Sequence, residues 1–492
     1  MSKKIYLLIS ILVFSFFLNG CQTATLRTDE TPNQTSENNS KPAPPPILGD
    51  GTRISYADIV DRVAPAVVKV TSEHRAKPKQ SNPMEDFFKG VPETPRGNQG
   101  PVEQGLGSGV IVSADGTILT NNHVIEGATK IKIELNDKRV FEAKVIGTDQ
   151  PTDLAVLKIE SKDLPSLTLG DSDKVRVGDI ILAIGNPLGI GQTVTAGIIS
   201  AKGRRTGLGD GSFEDFLQID APINRGNSGG ALVAINGELI GINSQILSPS
   251  GGNIGIGFSI PSNMAKSVME QLIKDGKVKR GRLGVGIQPI TEDLAKNLGL
   301  KENKGVIVGS VSAGSSAEKA GVKRGDVITA INGEKIEDGN ALRNKVAATA
   351  PGTEINLAIL RDGKELELKA TLDEFQPEKA KNESEGEGNS APGKSAENGK
   401  LGLDLQPLTP ELAKRLELPA NTKGLVVAAV DPEGPAAAEG IIKGDVILEI
   451  NRQEVSTFEE AQSALEKAGD KPSLLLIARQ GQTVYLTVEP KR

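Results

Sequence analysis

Gly226-Asn227-Ser228-Gly229-Gly230-Ala231-Leu232 encloses a hydroxyl in glycines immediately before an apolar run. A nucleophilic serine needs an exposed Oγ beside a tight turn whose N–H groups can receive the charge that develops on an attacked carbonyl oxygen. Glycine neighbours permit both the turn and the approach of a substrate. A plain glycine-rich hairpin would show the same residues, so the reading depends on a base and an orienting acid elsewhere. Of the two histidines, His123 in Asn121-Asn122-His123-Val124-Ile125 follows a short strand around 117–120, where an imidazole can project into a cleft as general base. His74 borders a polar insertion instead. Thr152-Asp153-Leu154-Ala155-Val156-Leu157-Lys158-Ile159 places a carboxylate at the start of an aliphatic strand, where it can hold the imidazole in one tautomer and stabilise its cation. A lone histidine is usually structural and a strand-start aspartate usually a turn former. The order His123, Asp153, Ser228 is nevertheless one of three chain orders found for such a triad, and this joint match is far more specific than its parts.

These side chains need a rigid frame. From about 53 to 275, short aliphatic runs alternate with Gly, Asn and Asp turns; Ala66–Val70, Gly109–Val112, Ile131–Leu135, Leu154–Leu157 and Ile180–Ile184 are examples. Runs of that length and spacing predict an all-β barrel or sandwich. Between Arg75 and Gly105 a Pro, Gln, Gly and Asn-rich insertion carries Asp86-Phe87-Phe88, too long for an ordinary connection and so read as a functional loop. A helix over 262–275 should close the unit, with Ser262 as N-cap and Met264, Val268, Leu272 and Ile273 as its apolar stripe.

The remainder is an internal repeat. Gly281-Arg282-Leu283-Gly284-Val285-Gly286-Ile287-Gln288-Pro289 returns as Gly399-Lys400-Leu401-Gly402-Leu403-Asp404-Leu405-Gln406-Pro407, and Gly325-Asp326-Val327-Ile328 returns as Gly444-Asp445-Val446-Ile447. Two homologous modules of about ninety residues are therefore expected, over 279–373 and 399–492. Residues 374–398, rich in Glu, Lys, Ser, Gly and Asn, read as an acidic flexible linker that lets the second module move freely relative to the first.

Composition bounds the rest. A chain of 492 residues implies about three globular units. A net charge of -6 disfavours nucleic-acid binding. One Cys and two His exclude an internal disulfide framework, a thiolate zinc site and an iron–sulfur cluster, so neither metal nor cofactor is expected. Gly 56, Pro 28 and aromatic content of 3% describe a turn-rich chain rather than a helical bundle. Lys3 and Lys4 precede an apolar run from Ile5 to Leu18, too short to span a bilayer comfortably but suited to an export signal over 1–21. Leu18-Asn19-Gly20-Cys21 resembles a bacterial lipobox, which implies lipidation of Cys21 and a membrane anchor, although Asn19 departs from the usual small or aliphatic residue. Residues 22–50, with Pro42-Ala43-Pro44-Pro45-Pro46, then form a tether.

Asn122-His123-Val124, Asp153-Leu154-Ala155-Val156, Gly226-Asn227-Ser228-Gly229-Gly230, Asn253-Ile254-Gly255-Ile256-Gly257-Phe258-Ser259-Ile260-Pro261 and the two repeats together resemble the HtrA (Deg) family of trypsin-like serine proteases with C-terminal PDZ domains. The resemblance covers nearly everything after the tether. It implies a mainly β chain: a chymotrypsin-like double β-barrel protease domain over 51–278, followed by two α+β PDZ domains. It further implies Ser228 as nucleophile, His123 as base and then acid, Asp153 as orienter, and an oxyanion hole of the N–H groups of Gly226 and Ser228 with Asn227. Asn227 cannot capture a freshly cut N-terminus as an aspartate would, so activation by propeptide cleavage is not expected. Switching would instead order the loops 185–192, 203–211 and 243–252, with Arg204 or Arg205 as a weak candidate for relaying the signal. The specificity pocket would involve Ile223, Asn224, Ile246 and Leu247, with no Asp to greet a basic side chain, implying cleavage after small aliphatic residues. Leu283-Gly284-Val285 and Leu401-Gly402-Leu403 would be carboxylate-binding loops, with Leu342 and Val346 as walls of the first groove. The implied partners are unfolded proteins, hydrophobic C-terminal peptides and further copies of the chain in a homotrimer or larger cage. The competing readings are a holdase chaperone and a PDZ scaffold with a silent protease domain.

Overall fold

The computed structural model describes residues 55–75, 102–186, 191–206, 213–224, 226–247, 253–300, 302–376, 401–419, 421–469, 471–480 and 482–490. Cys21, the tether, Asp86-Phe87-Phe88, parts of all three candidate switching loops and nearly all of the 374–398 linker lie outside these residues.

Helix α1 (Ala57–Val63) buries Ile59 and Val63 and turns at Pro65 into β1 (Val67–Arg75). β1 pairs with β2 (Val102–Ser113) from Val67 opposite Val110 to Arg75 opposite Val102, so the polar insertion leaves from the end of a long hairpin. β3 (Thr117–Asn121), which leads into the short helix α2 (Asn122–Ile125), β4 (Lys130–Glu134), β5 (Val140–Glu142), β6 (Lys144–Asp149) and β7 (Leu154–Lys158) complete a seven-stranded antiparallel sheet in the order β5-β4-β1-β2-β3-β7-β6. Among the described residues its edges β5 and β6 do not pair with each other. Three-residue β5 offers almost no ladder, and α3 (Ser262–Asp275) packs on β6 instead, with Gly147 against Leu272. The second half does close: β8 (Ile180–Gly185), β9 (Thr193–Arg204), β10 (Phe216–Ile219), β11 (Ala231–Ala234), β12 (Leu239–Ile246) and β13 (Gly257–Pro261) form a barrel in the order β10-β13-β12-β11-β8-β9. One apolar cluster runs through both halves, joining Ile118, Leu119 and Val156 to Leu182, Ile184 and Val233.

Helix α3 spans the expected residues but is anchored differently. Pro261 occupies the N-cap position, and Ser262, already helical, donates its Oγ to Gly170 O at 2.7 Å. Ala265, Val268 and Leu272 are its buried apolar residues, whereas Ile273 is 53% exposed, because the supporting sheet covers a narrower stripe than the apolar letters outline.

The repeats fold alike. The first comprises β14 (Gly281–Arg282), β15 (Val285–Pro289), β16 (Val306–Val311), β17 (Val327–Ile331), β18 (Glu334–Lys335), helix α4 (Gly339–Ala348), β19 (Glu354–Arg361), β20 (Lys364–Thr371) and β21 (Asp373–Glu374). The second comprises β22 (Leu403–Pro407), β23 (Leu425–Val430), β24 (Val446–Ile450), β25 (Gln453–Glu454), helix α5 (Phe458–Ala468), β26 (Ser473–Arg479) and β27 (Gln482–Val488). The sheet orders β15-β16-β17-β19-β20 and β22-β23-β24-β26-β27 correspond strand for strand. The correspondence reaches single bonds: Arg361 grips buried Asp326 with two bonds of 2.7 Å, and Arg479 grips buried Asp445 with two of the same length.

The expected free movement of the second module is overturned. Ile307 and Val327 of the first module share one apolar cluster with Val426, Val446, Leu474, Leu476 and Tyr485 of the second. Gln288 clasps the Tyr485 backbone through bonds of 2.7 and 2.8 Å, Thr483 Oγ1 donates to Gly309 O at 2.6 Å, and Arg324 pairs with Glu449. The linker's composition describes the tether between the modules, but their sheets carry apolar residues on a second face that find cover in each other.

Candidate active site

His123 lies in the first turn of α2, which β3 delivers to the cleft. Asp153 sits immediately before β7 in the left-handed region, with φ of 56°, after the single turn Gln150–Thr152. That conformation turns both its carboxylate oxygens towards His123: Oδ2 meets Nδ1 at 2.8 Å, and Oδ1 accepts the His123 backbone N–H at 3.0 Å. The Asp153 carbonyl accepts from Asn122 N at 3.1 Å and Asn121 Nδ2 at 3.0 Å, which ties the Asp153 backbone to the helix that carries His123. Ser244 Oγ donates to Asp153 Oδ2 at 3.0 Å. Ser244 carries no motif of its own, yet it braces Asp153, a pairing across 91 residues that no local pattern announces.

His123 and Ser228 line the same cavity of about 570 Å³. Among the described residues no hydrogen bond joins the Ser228 hydroxyl to His123; such contacts tighten when substrate enters. Ser228 stands in a turn pinned from the first half of the domain. Ser108 Oγ donates to Gly226 O at 2.6 Å and accepts from Asn186 N at 2.8 Å, while Ser108 N donates to Ser228 O at 2.8 Å. Gly226 and Gly229 have φ of 99° and 81°, and a Cβ on Gly229 would lie 2.1 Å from Ser108 O. Among the described residues the Gly226 and Ser228 N–H groups have no protein acceptor, which is what an oxyanion hole requires. Asn227 differs: its N–H donates to Asn224 O at 3.0 Å, and its side chain is buried against Gly185.

Of the expected pocket residues, Ile223, Asn224 and Ile246 line the cavity, whereas Leu247 lies off its wall and is 44% exposed. The sequence reading placed no Asp here, yet Phe213, Glu214, Asp215 and Phe216 supply one wall. Burial pushes the Asp215 carboxyl up from its ordinary value, and neighbouring Asp173 adds to the shift, so this acid resists ionisation. Arg204, one of the two relay candidates, donates from Nε to Gln218 Oε1 on the neighbouring strand at 3.1 Å.

Leu283, Gly284 and Val285 line a second cavity, of about 470 Å³, together with Ile287, Leu342 and Val346. Gly284 and Gly402 both have positive φ, 82° and 71°, and their carbonyls accept at 2.9 Å from Ser312 N and Asp431 N. Leu283 and Leu401 are buried under matching bonds from Ala317 N and Ala436 N, and Leu403 is buried as well, so both loops have the same build. Four and eight residues past the N-cap, α4 carries Leu342 and Val346, whereas α5 carries Ala461 and Leu465 at the corresponding positions.

A model of the trypsin-like peptidase domain matches residues 107–242, and two models of the PDZ domain match 281–372 and 426–479. The chain is 45% identical, over 83% of its length and 81% of the relative's, to a "Probable periplasmic serine endoprotease DegP-like" of Chlamydia muridarum (strain MoPn / Nigg). It is 44% identical, over 88% of its length and 90% of the relative's, to the "Periplasmic pH-dependent serine endoprotease DegQ" of Escherichia coli (strain K12). Among solved structures, "HtrA-type protease AlgW with decapeptide" matches 66% of this chain and 100% of its own at 44% identity with a TM-score of 0.53. "HtrA-type protease AlgW with tripeptide" matches 66% and 98% at 46% identity with a TM-score of 0.54.

Proposed function

This chain belongs to the HtrA family of serine endoproteases with a trypsin-like domain and two PDZ domains, and from that premise we propose that it degrades unfolded proteins in the bacterial periplasm by the triad Ser228, His123 and Asp153. The observation that carries the assignment is the 2.8 Å bond from His123 Nδ1 to Asp153 Oδ2, with Ser228 on the wall of the same cavity. That bond places the Nδ1 proton towards Asp153 and leaves Nε2 free to accept the Ser228 proton. Ser228 Oγ then attacks the scissile carbonyl, and the N–H groups of Gly226 and Ser228 receive the oxyanion. His123 returns the proton to the leaving amine, and a water activated by the same imidazole hydrolyses the acyl-enzyme.

Ile223 and Ile246 favour a small aliphatic side chain at the cleaved position. The groove beside Leu283-Gly284-Val285 takes hydrophobic C-terminal or extended segments by strand addition on β15, recruiting substrate to the protease. Lipidation at Cys21, assembly into trimers or cages, and activation by loop ordering extend this reading on the strength of the family. The test is mass spectrometry of fragments from an unfolded protein incubated with the chain and with Ser228→Ala. Cleavage after Val, Ala or Thr by the first alone is expected. If neither cuts, even with a hydrophobic C-terminal peptide added, the triad assignment fails and binding without cleavage, as in a holdase, takes its place.

A further inference from the structure

We propose that the first PDZ groove is a composite site: the β26–β27 hairpin of the second PDZ domain supplies part of its wall and selects peptides with amide or hydroxyl side chains second and fourth from the C-terminus. The inference rests on the reading of β15 as the strand that peptides extend. β15 is the edge of its sheet, and among the described residues it pairs only with β16, so its other edge is open to an added strand. Alternation sends Val285 and Ile287 towards the core of the first domain and Gly286 and Gln288 to the opposite face. That face meets the second domain, since Gln288 clasps the Tyr485 backbone. The side chains of an added strand divide in the same way. The last and third-last face Leu342 and Val346, while those second and fourth from the end face the side of Gly286 and the hairpin.

The hairpin stands in the groove and not merely behind it. Gln482 and Thr483 line the same cavity of about 470 Å³ as Gly284, Val285 and Leu342. Thr483 is fixed in place: its Oγ1 donates to Gly309 O at 2.6 Å, and a Cβ on Gly309 would lie 2.8 Å from Thr483 O, so glycine allows the close approach. A bulge in β16 makes the room, because Gly286 pairs with Ser310 and Ile287 with Val308, which leaves Gly309 with no residue opposite. The surface beside it is polar. A Cβ on Gly286 would run into the Ser310 hydroxyl, so that hydroxyl overlies the floor left by the glycine. Ser310 and Gln482 are exposed, and among the described residues neither side chain makes a hydrogen bond. A hydroxyl and an amide each donate and accept, which matches an amide or hydroxyl on the peptide and gives an aliphatic side chain no partner. The charges lining the cavity lie elsewhere: Arg282 precedes the carboxylate loop, and Arg343 stands on α4 over the Phe213 ring.

The test is fluorescence anisotropy with two labelled octapeptides ending in Val, one carrying Asn and the other the near-isosteric Leu at the second and fourth positions from the end. The protein is the full chain with Ser228→Ala, which leaves the peptides uncut, alone and with Gln482→Ala, Thr483→Val or Gly284→Val added; circular dichroism follows folding. The Asn peptide is expected to bind the parent about 3-fold to 10-fold more tightly than the Leu peptide, the scale of one net hydrogen bond. Gln482→Ala should cut that ratio to about twofold or less while the Leu peptide binds as before. Thr483→Val, which removes the hairpin's bond to Gly309, should lower the ratio as well. Equal affinity of the two peptides for the parent overturns the proposal, and so does a preference that Gln482→Ala leaves intact. If Thr483→Val does not fold, Gln482→Ala, a change at an exposed residue, decides alone. Binding that survives Gly284→Val would end the reading of the first groove as the peptide site and this inference with it. Binding that Gly284→Val abolishes, with a ratio indifferent to Gln482, would end only this inference.

Discussion

Asp153 makes four kinds of contact at once: to the imidazole, to the His123 backbone, to the Ser244 hydroxyl and, through its carbonyl, to Asn121 and Asn122. Asp153→Asn keeps the shape of the group but favours the wrong imidazole tautomer, so kcat should fall about 10⁴-fold while KM and stability hold. Stopped-flow or steady-state peptide cleavage measures this, and a loss under tenfold would deny Asp153 the orienting role. Ser244→Ala removes a hydrogen bond to a charged oxygen and should cost about 10-fold, roughly 1.5 kcal/mol, on the same assay. Gly229→Ala is more severe, because its Cβ would fall 2.1 Å from Ser108 O on a backbone with φ of 81°. Activity should vanish with a clear drop in the unfolding midpoint. His123, Asp153 and Ser228 were legible because each carries its own short motif; Ser244 and Ser108 were not, because a hydroxyl's partner is fixed by register between distant strands rather than by its neighbours in sequence.

At the scale of elements, α3 is held to the sheet by few residues. Leu272 is fully buried and touches Gly147 of β6. Leu272→Ala should cost about 2–5 kcal/mol by urea denaturation, whereas Ile273→Ala, at 53% exposure, should stay within about 0.5 kcal/mol. Equal effects would refute the burial pattern. The amphipathic period located this helix, but the stripe it outlined included Ile273, and only the width of the sheet beneath left Ile273 exposed and Ala265 buried. In the first PDZ domain Gly284 has φ of 82°, and a Cβ there would lie 2.3 Å from the Cβ of Ser315. Gly284→Val should abolish binding of a hydrophobic C-terminal peptide to that groove, read by fluorescence anisotropy, while cleavage of a short blocked peptide persists.

Over the whole molecule, the two PDZ domains pack against each other with Tyr485 and its apolar neighbours buried between them. Burial, reinforced by the charge of Glu449, pushes the Tyr485 hydroxyl up to about 12 from its ordinary 10.0. The phenol is thus neutral in the packed state and ionises more easily once released. Its contribution to docking is full below pH 10 and is lost as pH rises from 10 towards about 12. Thermal unfolding of wild type should weaken more steeply than that of Tyr485→Phe across this window, and parallel curves would show that the tyrosine does not titrate against docking.

Taken by itself, the sequence determined the candidates and the parts: a serine among glycines, a histidine and an aspartate in triad order, a β frame and a duplicated module. Each of these is written in short-range patterns, where turn residues, alternation and spacing act on the backbone within a few positions. Tertiary structure alone decided that, among the described residues, one sheet of the protease domain stays open while the other closes, that Asn227 gives its N–H to Asn224, and that the two PDZ domains share a core. These outcomes depend on which surfaces remain uncovered after each unit has folded and on which charges find partners away from water. That is settled by the summed positions of residues far apart in the chain, and local sequence does not encode it.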